Sequence, residues 1–73
     1  MKGDVIALGD PIVIAGTKYR VRGIESLAYP VRLLVAAAPK RNATHRATLD
    51  GLEYDKRVGV FRVQGSHRME QLS

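Results

Sequence analysis

This sequence predicts an all-β fold, a small closed or nearly closed barrel of five or six short strands, on three observations. Short runs rich in β-branched residues recur between turn signals across about 60 residues. Two of those signals, Gly16-Thr17 and Asp50-Gly51, stand where tight hairpins would turn. Residues 18–22 also alternate strictly, with Tyr19 and Val21 on one face and Lys18, Arg20 and Arg22 on the other. Side chains change sides at every strand residue, so one face reads as core and the other as positively charged.

The elements follow in chain order. Val5 to Leu8 is a short apolar run that fits either a first strand or an N-terminal arm, and Pro11 belongs at a strand start or an edge. A hairpin spans Ile12 to about Glu25, and 26–30 interrupts the pattern. Val31 to Ala38 is apolar at helical spacing (Val31, Leu34, Val35, Ala38) and at strand spacing (Val31, Leu33, Val35, Ala37). Lying between two prolines, the run is short for a helix, so it reads as a strand buried on both faces; one short helical turn within 26–38 is the alternative. After a loop at 39–43, a strand runs from Thr44 to Leu49, and Asp50-Gly51 favours a type I′ turn. The chain returns from Leu52 to Val63 with a bulge or bend expected at Gly59, where the apolar parity switches. Residues 65–73 carry little apolar content and are expected to fray, which makes 1–64 the single domain and 65–73 a flexible tail. The expected core is Ile12, Ile14, Tyr19, Val21, Leu33, Val35, Leu49, Phe61 and Val63.

The stretch Gly-Asp-Pro-Ile-Val-Ile-Ala-Gly-Thr-Lys-Tyr-Arg-Val-Arg-Gly-Ile, Gly9 to Ile24, resembles the opening hairpin of small SH3-like barrels. The whole chain is similar to short accessory proteins encoded by bacteriophages of GC-rich hosts. The resemblance implies a small five- to six-stranded SH3-like barrel. It transfers no functional residue, because such barrels bind peptides, nucleic acids or other subunits through unrelated surfaces.

With 73 residues and no cysteine, the chain has room for one core and none for disulfide or thiolate chemistry. Catalysis is not expected: there are two histidines, His45 and His67, without paired-ligand spacing, so no metal or other cofactor is expected either. Asp50, Glu53 and Asp55 read as a turn former and solvated strand residues rather than a site. The N-terminal apolar run is shorter than a signal peptide needs, and no run is long enough to span a membrane, so a cytoplasmic location is expected, in the bacterial host if the protein is phage-encoded.

A formal net charge of +5 and a sequence pI near 10.1 favour a polyanionic partner. Lys18, Arg20 and Arg22 line one strand face, and like charges at that spacing repel unless an anion compensates them. Lys40, Arg41, His45 and Arg46 form the most basic local cluster. Together these residues are the candidate contacts for nucleic acid, held largely through phosphates, with Tyr29 and Tyr54 as candidate stacking platforms. The alternative is a protein-interaction module that docks on an acidic protein surface, either as an inhibitor of a host protein or as a small structural or assembly subunit. Val5, Ile6 and Leu8, or Val31 to Ala38, would then be the apolar surface of a homo-oligomer or docking patch.

Overall fold

Five strands appear in a computed structural model that describes residues 5–72: β1 (Pro11–Ile14), β2 (Thr17–Ser26), β3 (Val31–Ala36), β4 (His45–Asp55) and β5 (Val60–Gln71). Each strand pairs antiparallel with the next, and β1 pairs with β5 to close a barrel. The closing seam is parallel, with Ile12 beside Phe61 and Val13 beside Arg62. An up-and-down chain with an odd number of strands leaves its first and last strands pointing the same way, so the seam can have no other sense. The described residues contain no helix, and the architecture is consistent with a small SH3-like barrel. The helical turn considered within 26–38 is absent: 27–30 are bends, and Val31–Ala36 is a strand.

Strands β2, β4 and β5 are long enough to serve two sheets, and irregularities mark where they pass from one to the other. One sheet joins β1 to the first half of β2, the first part of β5 and the end of β4. The other joins the second half of β2 to β3, the start of β4 and the end of β5. On β2, Arg22 and Glu25 are skipped in the pairing with β3, which runs Val21↔Val35, Gly23↔Leu34, Ile24↔Leu33 and Ser26↔Arg32. Between β4 and β5, Leu49↔His67 is followed by Gly51↔Gln64, so Asp50 faces both Gly65 and Ser66. The Ser66 backbone N–H donates to Asp50 Oδ2 at 2.9 Å, giving the bulge its own partner. Gly65 has φ of 82°, and a Cβ there would lie 2.8 Å from Asp50 Oδ2, so this position takes glycine for two reasons.

The core is a layer of aliphatic side chains from every strand. Ile12, Ile14, Val21, Leu33, Val35 and Leu49 are fully buried, and Phe61 packs among them. Tyr19 and Val63, also expected in the core, are half-buried against it. Ala36, Ala47 and Val60 are buried as well. Val31 to Ala36 is therefore consumed by the core on its buried face, while Arg32 is exposed and Leu34 half-buried on the other. Val5 to Leu8 forms an arm rather than a strand, with Ile6 buried and Val5 and Leu8 61% and 64% exposed. A tight turn holds that arm: Asp10 N–H donates to the Ala7 carbonyl at 3.1 Å, and Ala7 N–H donates to Asp10 Oδ2 at 2.9 Å.

The second hairpin differs from the sequence expectation. No turn forms at Asp50-Gly51; β4 continues through it to Asp55, and the chain reverses over 56–59. There the Gly59 N–H donates to the Asp55 carbonyl at 2.8 Å, the Arg57 N–H donates to Asp55 Oδ1 at 3.0 Å, and Gly59 has φ of 70°. Gly59 thus ends a loop instead of bending a strand. The later turn wins because it pairs β4 with β5 along nearly their whole length, placing Leu52 opposite Val63 and Tyr54 opposite Phe61. The Tyr54 and Phe61 rings meet at 4.9 Å between centroids, inclined at 55°, a favourable aromatic arrangement. The same pairing carries β5 through Gln71, so 65–71 is a paired strand and not the frayed tail expected for 65–73; Ser73 lies outside the described residues.

Candidate functional site

The two predicted basic clusters meet in part. Lys18 and Arg20 project outward from β2, opposite Val13 and Pro11 of β1, and Arg22 occupies the first bulge of β2. Arg22 Nε donates to the Lys40 carbonyl at 3.1 Å, which ties the β3–β4 loop with Lys40 and Arg41 to the edge of that face. Arg20 Nη1 donates to the Gly9 carbonyl at 3.0 Å, so this guanidinium is oriented by backbone, and one such bond leaves other donors of its fork for a ligand. Among the described residues, no carboxylate lies within ion-pair distance of Lys18, Arg20, Arg22, Lys40 or Arg41. The face is a five-cation surface whose two central arginines are aimed by carbonyls and, among the described residues, form no ion pair.

His45 and Arg46 do not join it. They are consecutive on β4 and so point to opposite sides. His45 lies on the inner side, half-buried, its ring 6.3 Å from that of Tyr19 and its Nδ1 2.9 Å from Thr44 Oγ1. Arg46 points outward into a different group, a shallow depression lined by Glu25, Arg32, Arg46, Thr48, Arg68 and Glu70. Its guanidinium grips Glu25 with two bonds, Nε to Oε1 at 2.8 Å and Nη2 to Oε2 at 3.2 Å, and reaches Glu70 Oε1 from Nη1 at 3.3 Å. The Arg46 hydrogen bond is the main reason that the Glu25 carboxyl sits below its ordinary value, and the two carboxylates in turn hold Arg46 firmly charged. Its charge is used inside the protein.

A second ion-pair group braces the 56–59 turn. Asp55 accepts from Arg57 Nε at 3.4 Å and from Arg62 Nε at 3.2 Å. Desolvation pushes the Asp55 carboxyl up, but the Arg57 side-chain and backbone bonds together with Arg62 outweigh it and leave the group below its ordinary value. Arg62 also lies across Val13 from Lys18 and so extends the basic surface past the seam. The sequence reading missed this adjacency because it depends on β1 pairing with β5, a contact between residues far apart in the chain. Of the two tyrosines considered for stacking, Tyr29 is 76% exposed, whereas Tyr54 is packed against Phe61. Tyr29 lies at the other end of β3 from Lys40 and is not part of the basic face.

Among the described residues, no three of His, Asp and Glu gather in a way that could hold a metal ion, and no helix is long and apolar enough to cross a membrane. Comparison with family models, with curated proteins and with solved structures finds no match to this chain.

Proposed function

We propose that the protein acts by binding rather than by chemistry, and that the face formed by Lys18, Arg20, Arg22, Lys40 and Arg41 engages nucleic acid through its phosphates. The observation that supports this is the Arg22 to Lys40 hydrogen bond, which joins two cationic segments into one surface where, among the described residues, no carboxylate comes within ion-pair distance. Arginine presents a planar fork that suits phosphate oxygens, and a surface made of such contacts positions a backbone without reading its bases. With no exposed aromatic residue within the face, binding rests on charge more than on stacking and is largely independent of sequence.

Binding of labelled mixed-sequence DNA and RNA over a range of salt tests this. If all five cations meet phosphates, the slope of log affinity against log salt on duplex DNA is about −4 to −5. Replacing Arg20 and Arg22 together by Ala reduces the magnitude of that slope by about 2 while the fold survives. Absence of binding at low salt overturns the proposal.

A second reading, a protein-interaction module, has its own support. Val5, Leu27 and Tyr29 are exposed apolar residues that line one depression together with Leu52, at the end of the barrel away from the basic loop. Here the cations would dock on an acidic protein surface and the apolar depression would anchor the contact. The Arg20/Arg22 variant would then lose the protein partner, and the wild type would show no salt-dependent affinity for nucleic acid.

A further inference from the structure

The second half of β5 is a sheet edge. Beyond the seam at Arg62, its one sheet neighbour among the described residues is β4, paired from Gln64 to Gln71. The direction of its backbone groups follows from one bond: Leu72 N–H donates to the Thr44 carbonyl at 2.9 Å. In an antiparallel ladder, alternate residues exchange hydrogen bonds with the same neighbour, so the next residues facing β4 are Glu70, opposite Arg46, and Arg68, opposite Thr48. His67, Met69 and Gln71 therefore turn their N–H and C=O groups away from β4, towards the open side. Natural edges are commonly protected by proline, by a bulge within the edge or by an inward charge. The segment from His67 to Gln71 has no proline and no bulge of its own, its core-side residue is Met69, and the charged side chains it carries, Arg68 and Glu70, are of opposite sign.

We propose that this edge pairs with the same edge of a second copy of the chain, antiparallel, about a two-fold axis at Met69. Two independent properties select that register. The three residues whose backbone groups face outward are spaced symmetrically about Met69, so Met69 meets Met69 of the second copy and His67 meets Gln71, and every N–H and C=O of the three finds a partner. On the outer face, the same register sets Arg68 directly opposite Glu70 of the second copy, and Glu70 opposite Arg68. These are non-hydrogen-bonded positions, where facing side chains come closest. Among the described residues, Arg68 has no carboxylate within ion-pair distance in its own chain, and Glu70 uses one oxygen towards Arg46 and is 60% exposed. Shifting the axis to His67 or Gln71 keeps backbone pairing but sets Ser66 against Arg68, or Glu70 against Leu72, and no opposite charges meet. The dimer joins the β2–β3–β4–β5 sheets of two barrels into one continuous sheet, an isologous interface of the kind a two-fold axis requires.

Light scattering coupled to size exclusion, over a concentration series, reads the mass directly, with circular dichroism reporting the fold. The wild type is expected to run as a dimer. Glu70→Arg places like charges opposite each other twice and weakens the dimer roughly tenfold or more. Adding Arg68→Glu to that variant restores it, since the exchanged charges again face their opposites in this register alone. Gln71→Pro removes an N–H that points to the open side, so the monomer keeps its fold while the dimer is lost. A wild type that stays monomeric throughout overturns the proposal and leaves the edge to a strand of another protein. A dimer indifferent to both Gln71→Pro and the charge exchange overturns it equally.

Discussion

Among the described residues, Ala15 is the one non-glycine whose backbone takes a positive φ. The first hairpin turns on Ala15 and Gly16, with φ of 51° and 81°, two positive values that define a type I′ turn, and it closes on Ile14 paired with Thr17. The turn thus lies one residue earlier than the Gly16-Thr17 pair implied. A left-handed conformation costs an alanine about 1 kcal/mol, and Asn tolerates it far better. Ala15→Asn is accordingly expected to stabilise the domain by roughly 0.5–1 kcal/mol, read as an upward shift in the urea or thermal midpoint. Gly65 is the opposite case, since it already has the residue its geometry demands. Gly65→Ala combines a strained φ with a Cβ 2.8 Å from Asp50 Oδ2, and is expected to cost about 1–3 kcal/mol in the same measurement. A smaller loss would mean that the Asp50 bulge relaxes freely.

The strands show what local pattern carries and what it does not. The first hairpin and β3 were legible because period-two alternation and flanking prolines are properties of a few neighbouring residues, and the core positions of β1, β2 and β3 fell where that alternation placed them. The β4–β5 hairpin was not, because Asp50-Gly51 is a stronger isolated turn signal than 56–59, and only the long-range pairing of Leu52 with Val63 and Tyr54 with Phe61 decides between them. The last strand was hidden for a related reason. Its alternation has Met69 as its apolar member, and its order comes from the neighbouring strand β4 rather than from its own hydrophobic content. The candidate site divides along the same line: Lys18, Arg20 and Arg22 share a strand and were found together, while the separation of Arg46 from Arg41 and its capture by Glu25 and Glu70 depend on how β2, β4 and β5 lie side by side.

For the molecule as a whole, two ion-pair groups link stability to pH. The Glu25 and Asp55 carboxyls are both held below their ordinary values of 4.5 and 3.8, so the folded state binds protons less readily than the unfolded chain. Their contribution is complete above those ordinary values and is lost as the pH falls through them towards the depressed ones. The denaturation midpoint should therefore be level near neutral pH and fall below about pH 4.5, and Glu25→Gln should lower the neutral plateau and flatten part of the acid decline. A Glu25→Gln profile running parallel to the wild type would assign the decline to other groups. The odd strand number has a consequence for rearranging the gene. In a barrel with an even number of strands, the first and last strands run antiparallel, and a hairpin turn of a few residues can join their ends so that the chain can be reopened elsewhere. Here β1 and β5 run side by side in the same direction, so the end of β5 and the start of β1 lie at opposite mouths of the barrel. A circular permutant needs a connection from Gln71 to Pro11 that travels the full height of the barrel, on the order of a dozen residues, and a tight turn between those two strand ends cannot close.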